Sequence, residues 1–212
     1  MAKAYDRVSW IFLTKVLRKF GFSERMINMI WRLTSNNWYS FFQSSRGLKQ
    51  GGPLSPTLFI IAAKVLPRGL NKLQEDGEYR GYGMPKWSSN INHLSYVDDT
   101  ILFCSRDKKS VQKMMKVLAN YEQVSGQMIN KNKCFFYLHE KAPIVSGQRL
   151  RRWTGIQQGH FPFTYLGCPV FYGRKKISHF EYILAKINKR VMCWQNKFLS
   201  YGGRQILVAH VL

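Results

Sequence analysis

The chain has 212 residues, of which 45% are hydrophobic and 15% are aromatic. This composition is typical of a folded protein of one or two domains and excludes an intrinsically disordered chain. Lysine and arginine number 33 against 11 aspartate and glutamate residues, which gives a formal net charge of +22. A folded protein with such an excess of positive charge is expected to bind a polyanion, and nucleic acid is the leading candidate.

The cysteines and the N-terminal segment bear on the cellular compartment. Cys104, Cys134, Cys168 and Cys193 lie far apart without a CxxC pair, so neither a zinc site nor a disulfide framework is predicted. Polar and charged residues follow Met1, and no segment approaches about 18 consecutive apolar residues. We therefore expect an intracellular protein with no membrane partner, and no targeting signal decides between nucleus and cytoplasm.

Apolar periodicity and turn residues predict the elements in chain order. Helices are predicted over 10–20, 24–35, 57–73, 108–125 and 178–195. Strands are predicted over 38–42, 79–82, 91–94, 100–104, 134–138 and 165–171. Pro67 is expected to kink or interrupt its helix, and the basic stretch 141–159 is predicted to be irregular. Helices mixed with short, mostly antiparallel strands indicate the α+β fold class with a small sheet.

Two adjacent carboxylates, Asp98 and Asp99, lie between the apolar runs 91–94 and 100–104. This order predicts the tight turn of a β-hairpin at 96–99. Adjacent carboxylates repel one another unless a cation lies between them, so the pair indicates a divalent metal site. Aspartate is also a common turn former, and the pair taken alone is more typical of a solvated turn.

Several stretches, taken in order, resemble one family, the reverse transcriptases. The matching stretches are 3–8 with Trp10, the glycine-rich 46–56, Tyr96-Val97-Asp98-Asp99, 125–133 and Tyr165-Leu166-Gly167. The amino-acid sequence of 3–8 and 126–131 is similar to that of plant-like members of the LINE-type, non-LTR retrotransposon group. The resemblance implies a polymerase palm with partial fingers elements over 1–177 and the truncated start of a helical thumb over 178–212. The palm would hold a small antiparallel sheet and packed helices.

The resemblance also implies an activity, RNA-directed DNA synthesis. Such an enzyme extends a DNA primer on an RNA template with deoxynucleoside triphosphates and Mg²⁺. Asp98 and Asp99 would be the catalytic and metal-binding residues. The nucleotide-binding residues implied by the family match are Tyr5, Gln50, Gly51 and Lys133.

Each nucleotide-binding residue has a plainer alternative. Tyr5 matches an aromatic ring that lies beneath the incoming sugar and excludes a 2′-hydroxyl, but it could be a core tyrosine. The stretch 47–56 lets backbone approach a ligand closely, and Gln50 offers an amide to a base or sugar edge. The alternative for this stretch is an ordinary loop that enters a helix. Lys133 matches a lysine near the triphosphate, or is simply solvated.

Cations interleaved with aromatic residues predict a strand-binding surface, because bases stack on rings while phosphates meet cations. The predicted nucleic-acid-binding residues are Arg151, Arg152, Arg174, Lys175 and Lys176.

One family feature has no match in the sequence. The family's first catalytic aspartate falls at the position directly before Met1. Two magnesium ions about 3.5–4 Å apart need carboxylates from both motifs. Asp6 on an extended strand would lie roughly 20 Å away. The residues are therefore expected to be an inactive, palm-centred part of a reverse transcriptase.

Other interpretations remain open, and the sequence leaves the oligomeric state undecided. The alternative from another class is a non-catalytic nucleic-acid-binding module. An intron-maturase-like enzyme would share the hairpin but fits 125–133 less well.

Overall fold

The structure is a computed structural model that describes residues 4–34, 46–49, 51–83, 87, 90–195, 200–203 and 205. The chain divides into two compact units. Unit 1 comprises Met1–Phe135 and Lys141–Gln157, and unit 2 comprises Phe136–Glu140 and Gln158–Leu212. The predicted boundary between palm and thumb after residue 177 stays a prediction.

Helices and short strands share the described residues, which confirms the predicted α+β class. The helices are α1 (Ala4–Arg7), α2 (Trp10–Lys19), α3 (Glu24–Thr34), α4 (Ser55–Ala63), α5 (Val65–Lys72), α6 (Lys108–Ser125), α7 (Ile144–Thr154) and α8 (Glu181–Gln195). Single 3₁₀ turns span Leu73–Glu75, Lys131–Lys133 and Ile177–His179. The strands are β1 (His93–Tyr96), β2 (Asp99–Leu102), β3 (Phe135–Phe136), β4 (Gln157–Gln158), β5 (Phe163–Tyr165) and β6 (Cys168–Val170).

Capping side chains fix the starts of two helices. Ser9 accepts a hydrogen bond from the Phe12 N–H at the start of α2, and Asp107 accepts one from the Ser110 N–H at 2.8 Å at the start of α6. Gly126 ends α6 in the left-handed conformation, with φ 76°.

The core of unit 1 lies between the apolar faces of α2 to α6. Its buried members include Phe12, Leu13, Val16, Leu17, Ile27, Ile30, Leu58, Phe59, Ala62, Leu66, Leu70, Leu118 and Tyr121. Each large apolar side chain contributes about 1.5–3 kcal/mol when fully buried. The core therefore gives the hairpin and the glycine-rich loop a firm support.

The predicted interruption by Pro67 is confirmed, but the helix breaks at Lys64. A proline ring clashes with the carbonyl four residues earlier, which here belongs to Ala63, the last residue of α4. Pro67 itself lies in the first turn of α5, where a missing N–H removes no helical hydrogen bond.

The predicted extended start of the chain is wrong. Residues 4–7 form the short helix α1, and a helix rises only about 1.5 Å per residue. The 20 Å estimate for Asp6 therefore does not hold.

The predicted strand over 79–82 is also wrong. The Arg80 N–H donates to Ser110 Oγ at 2.8 Å, and the Arg80 carbonyl accepts the Ser105 N–H at 3.1 Å. Bonds to the start of α6 thus take the place of a strand ladder.

Two further segments differ from the sequence predictions. The stretch 141–159 is not irregular, because it contains α7, whose buried face consists of Gly147, Leu150 and Thr154. The segment 165–171 is not one strand but belongs to the β5–β6 hairpin, which turns at Leu166 and Gly167. The strand predicted over 134–138 is confined to β3, and the one over 38–42 lies outside the described residues.

Candidate functional site

The hairpin that carries the aspartates is confirmed. β1 and β2 pair antiparallel, with Tyr96 opposite Asp99, so only Val97 and Asp98 form the turn. Val97 has φ 52°, a left-handed conformation that costs a β-branched residue on the order of 1–3 kcal/mol. This strained turn places Asp98 and Asp99, which are both exposed, at the end of the hairpin.

The base of the hairpin is tied to α5 through a buried amide. Asn92 Nδ2 donates to the Leu70 carbonyl at 2.8 Å, and the Asn92 carbonyl accepts the Phe103 N–H at 2.8 Å. Asn92 Oδ1 lies 2.6 Å from Nδ1 of His93, and an amide oxygen can only accept, so this nitrogen carries the hydrogen. Burial lowers the pKa of His93 and favours the neutral ring.

Three of the family-like stretches meet at residues 5–9. The Leu48 N–H donates to the Tyr5 carbonyl at 2.8 Å, and the Gly47 N–H donates to the Val8 carbonyl at 2.9 Å. The Ser9 N–H donates to the Ser125 carbonyl at 2.8 Å. The stretch at the start of the chain therefore lies between the glycine-rich loop and the end of α6.

Two glycines make this close approach possible. A Cβ atom on Gly47 would lie 3.0 Å from the Asp6 carbonyl oxygen, and one on Gly126 would lie 2.8 Å from that of Arg7. Both glycines also have positive φ angles, 94° and 76°. Only glycine satisfies both the space and the conformation without strain.

Tyr5 is half-buried and stacks on Phe59, with ring centroids 4.6 Å apart and an interplanar angle of 21°. Phe59 is 1% exposed and belongs to the core. One face of the Tyr5 ring is thus held by the core. This packing is compatible with both predicted roles, a core tyrosine and a ring that lies beneath the incoming sugar and excludes a 2′-hydroxyl.

The glycine-rich loop is closed by its own backbone. The Lys49 carbonyl accepts the Gly52 N–H at 3.1 Å and the Ser55 hydroxyl at 2.5 Å. Gly51 has φ 81°, and no atom lies within 4 Å of the position that its Cβ would occupy. Gln50 lies outside the described residues.

The predicted cationic residues are all exposed, and they lie in different parts of the chain. Lys133 ends a 3₁₀ turn, while Arg151 and Arg152 lie in the last turn of α7, all in unit 1. Arg174, Lys175 and Lys176 follow β6 in unit 2.

The carboxylate pair fits magnesium in part. All 11 acidic residues of the chain are at described positions. Among the described residues, no group of three or more histidine, cysteine, aspartate or glutamate side chains could hold a metal ion. Mg²⁺ is usually bound by one or two carboxylates together with substrate phosphates. Asp98 and Asp99 therefore fit one ion that shares its oxygen ligands with a triphosphate, and they fall short of a two-ion centre.

Sequence reasoning missed the supports of the site. Phe59 and Asn92 hold Tyr5 and the hairpin, but each acts on a residue distant in the sequence. Gly126 ends α6, and its second role, the close approach to the Arg7 carbonyl, has no local sequence signal. No helix within the described ranges is long and apolar enough to cross a membrane.

Residues 1–170 match the family model for reverse transcriptase (RNA-dependent DNA polymerase). This match covers more than half of the chain, so the chain belongs to the reverse transcriptase family. Members of the family bind nucleic acid and nucleotides and generally use a divalent metal.

Relatives confirm the predicted connection to non-LTR retrotransposons. A retrovirus-related Pol polyprotein from a type-2 retrotransposable element of Drosophila melanogaster is 24% identical over 192 residues, covering 86% of this chain and 16% of that protein. One from a type-1 retrotransposable element of Popillia japonica is 29% identical over 159 residues, covering 71% and 25%. An uncharacterized mitochondrial protein of Arabidopsis thaliana is 48% identical over 56 residues, covering 26% and 46%. The matches thus span less than half of each relative.

Proposed function

We propose that the chain carries the palm of an RNA-directed DNA polymerase that extends a DNA primer on an RNA template. Asp98 and Asp99 hold Mg²⁺ during transfer of the nucleotide. One observation carries this proposal: the strained turn at Val97 sets two adjacent carboxylates at the exposed end of a hairpin supported by the core. The intracellular location of RNA templates and nucleotides supports a nuclear or cytoplasmic site of action.

The two aspartates take unequal parts in the proposed chemistry. Asp98 lies in the turn and Asp99 opens β2, and neighbouring residues of a strand point to opposite faces. Asp98 is the stronger metal ligand in this proposal. Magnesium, when bound, neutralises the triphosphate and activates the primer 3′-hydroxyl.

Other residues bind and select the nucleotide. Tyr5, held by its stack on Phe59, excludes a 2′-hydroxyl by its bulk. The open left-handed backbone at Gly51 lets the nucleotide approach closely, and the Gln50 amide bonds a base or sugar edge. Lys133 neutralises part of the triphosphate charge. Arg151, Arg152, Arg174, Lys175 and Lys176 contact phosphates of the template and primer.

The same proposal limits what these 212 residues do alone. Two magnesium ions about 3.5–4 Å apart need more carboxylates than Asp98 and Asp99 supply. Catalysis by the two-ion mechanism therefore requires a further carboxylate, and the 212 residues by themselves are inactive.

Primer extension on an RNA template tests this proposal. The chain is compared with two forms that are extended at the N-terminus by a reverse transcriptase segment whose last residue, directly before Met1, is Asp in the Asp-extended form or, as a matched control, Asn in the Asn-extended form. We expect synthesis only from the Asp-extended form, and Asp98→Asn in that form should abolish it. Robust synthesis by the unextended chain would contradict the account of the metal site.

A second candidate function is a nucleic-acid-binding module without catalysis. The observation in its favour is that no third metal-ligating side chain joins the aspartates among the described residues. If the Asp-extended form folds and binds nucleic acid but makes no DNA, the result would support the non-catalytic module.

A further inference from the structure

Unit 2 contains a cluster of aromatic rings at the β5–β6 hairpin, here called the ring cluster and made up of Tyr137, His139, Phe161, Phe163 and Tyr172. Phe161 lies 5.4 Å from Phe163 and 5.3 Å from Tyr172 between ring centroids. The Phe161 and Tyr172 rings meet edge to face, at 89°. The ring cluster is thus continuous from Phe163 to Tyr172.

One end of the ring cluster is fixed by a glycine. Tyr137 stacks on Phe163 with centroids 3.9 Å apart, and the Gly159 N–H donates to the Phe136 carbonyl at 2.9 Å. A Cβ atom on Gly159 would lie 2.5 Å from the Tyr137 ring. Tyr137 is therefore held between the Gly159 backbone and Phe163, which makes it a structural member of the cluster.

The other end is open to solvent. Tyr172 is half-buried, and the exposed His139 lies 5.2 Å from it at an angle of 41°. None of the side chains described in unit 2 is buried. The rings therefore keep solvent-accessible surface that further burial would stabilise.

Cations lie next to this open end. Gly173, with φ 88°, joins Tyr172 to the exposed Arg174, Lys175 and Lys176. Two residues of chain span at most about 7 Å, so Arg174 stays close to the Tyr172 backbone. The residues before and after this cationic segment pack together. The ring centroid of Phe171 lies 4.2 Å from that of His179 and 5.8 Å from that of Phe180.

We propose that the open end of the ring cluster binds single-stranded nucleic acid, with unpaired bases stacked on Tyr172 and His139 and phosphates bound by Arg174, Lys175 and Lys176. Rings and cations side by side match the alternation of bases and phosphates along a strand. A duplex hides its base faces, so this site distinguishes single strands from duplexes. The inference rests on the proposed function, since it assigns one subsite of the proposed nucleic-acid surface.

The test uses the 212-residue chain and a short RNA that contains the fluorescent base 2-aminopurine, whose emission falls when it stacks. We expect quenching with the single strand and not with the matching duplex. Tyr172→Leu should remove the quenching and weaken single-strand binding by about tenfold, with duplex binding unchanged. Tyr172→Phe should retain both signals because it keeps the ring.

Two variants serve as controls. Tyr182→Leu removes a tyrosine of α8 that is 68% exposed, and it should leave the quenching unchanged. Asp98→Asn should also quench normally, because the metal site is not part of the subsite.

The outcomes separate this inference from the proposed function. Full quenching in Tyr172→Leu would overturn the inference while primer extension still tests the polymerase. If Tyr172→Leu loses its unfolding transition, His139→Leu decides instead, and undiminished quenching in that variant overturns the inference. No binding of any RNA by the unsubstituted chain would overturn both.

Discussion

Gly126 lies in one family-like stretch and packs closely against Arg7 of another. The contribution of this close approach to stability can be measured. We predict that Gly126→Ala destabilises unit 1 more than Gly155→Ala. Both glycines end a helix with positive φ, 76° and 70°, so both changes cost about 1–2 kcal/mol in backbone strain. Only at Gly126 would the new Cβ lie 2.8 Å from a carbonyl oxygen, which adds about 1–3 kcal/mol. Urea unfolding of the two variants measures the difference.

Gly155 is a matched control, because no atom lies within 4 Å of its added Cβ. Equal losses of unfolding free energy in the two variants would show that the contact with Arg7 contributes nothing.

Tyr5 tests the proposed selection of the sugar. In the Asp-extended form, Tyr5→Val should keep DNA synthesis measurable and admit ribonucleotides, because the bulk of the ring is lost. Phe59→Leu, which removes only the stacking partner, should shift the selectivity in the same direction but less. Competition between dNTPs and rNTPs in primer extension gives the ratio, and an unchanged ratio in Tyr5→Val would argue for a core tyrosine only.

The sequence predicts the hairpin that carries Asp98 and Asp99, but not the contacts that support it. The order of Asp98 and Asp99 between apolar runs is a local pattern, and the hairpin followed from it. The stack of Tyr5 on Phe59 and the bond from Asn92 to Leu70 join residues far apart in the chain. No spacing within one segment specifies such contacts.

Among the elements, α6 is tied to the segment 76–78 by charge. Lys113 Nζ lies 2.6 Å from Asp76 Oδ2 and 3.1 Å from Glu78 Oε2. Hydrogen bonds from Lys113 hold the pKa of Asp76 and that of Glu78 below their usual values. The ion pairs therefore stabilise the fold above about pH 4, the range of unfolded carboxyls, and are lost as the pH falls through the lowered folded values.

Lys113→Met should therefore lower the melting temperature at pH 7, and the difference from the unsubstituted chain should shrink as the pH falls below about 4. Because Glu78 is exposed and Asp76 and Lys113 are only half-buried, solvent screens the ion pairs and the effect should be small. Lys116→Met, on the exposed side of the same helix, is the matched control. A difference that is constant from pH 7 to pH 3 would exclude the ion pairs as its cause.

Element prediction failed where the pattern was weak. Only Gly147, Leu150 and Thr154 of α7 are buried, too few apolar residues to stand out in a basic stretch. The β5–β6 hairpin turns at Leu166-Gly167, and a leucine with φ 50° is not a usual turn residue. The caps Ser9 and Asp107 act through neighbouring N–H groups, so α2 and α6 were predicted well.

At the scale of the whole molecule, the net charge of +22 predicts nucleic-acid binding with little sequence preference. Phosphate contacts release counterions, so affinity should fall by a factor of about 10³–10⁵ between 50 and 200 mM salt if roughly 6–10 phosphates are bound. The double change of Arg151→Gln and Arg152→Gln should reduce the slope of log affinity against log salt by about 1 for each phosphate that the variant no longer binds. Filter binding across a salt series measures both, and a flat dependence would contradict a phosphate-binding surface.

The most direct test of the proposed metal site counts bound ions. Mn²⁺, which replaces Mg²⁺ and is visible by electron paramagnetic resonance, is titrated into the chain with a deoxynucleoside triphosphate present. We predict one protein-dependent ion for the 212-residue chain and two for the Asp-extended form. Asp98→Asn should lose the protein-dependent binding. Two ions in the unextended chain, or unchanged binding in Asp98→Asn, would contradict the assignment of Asp98 and Asp99 as an incomplete metal site.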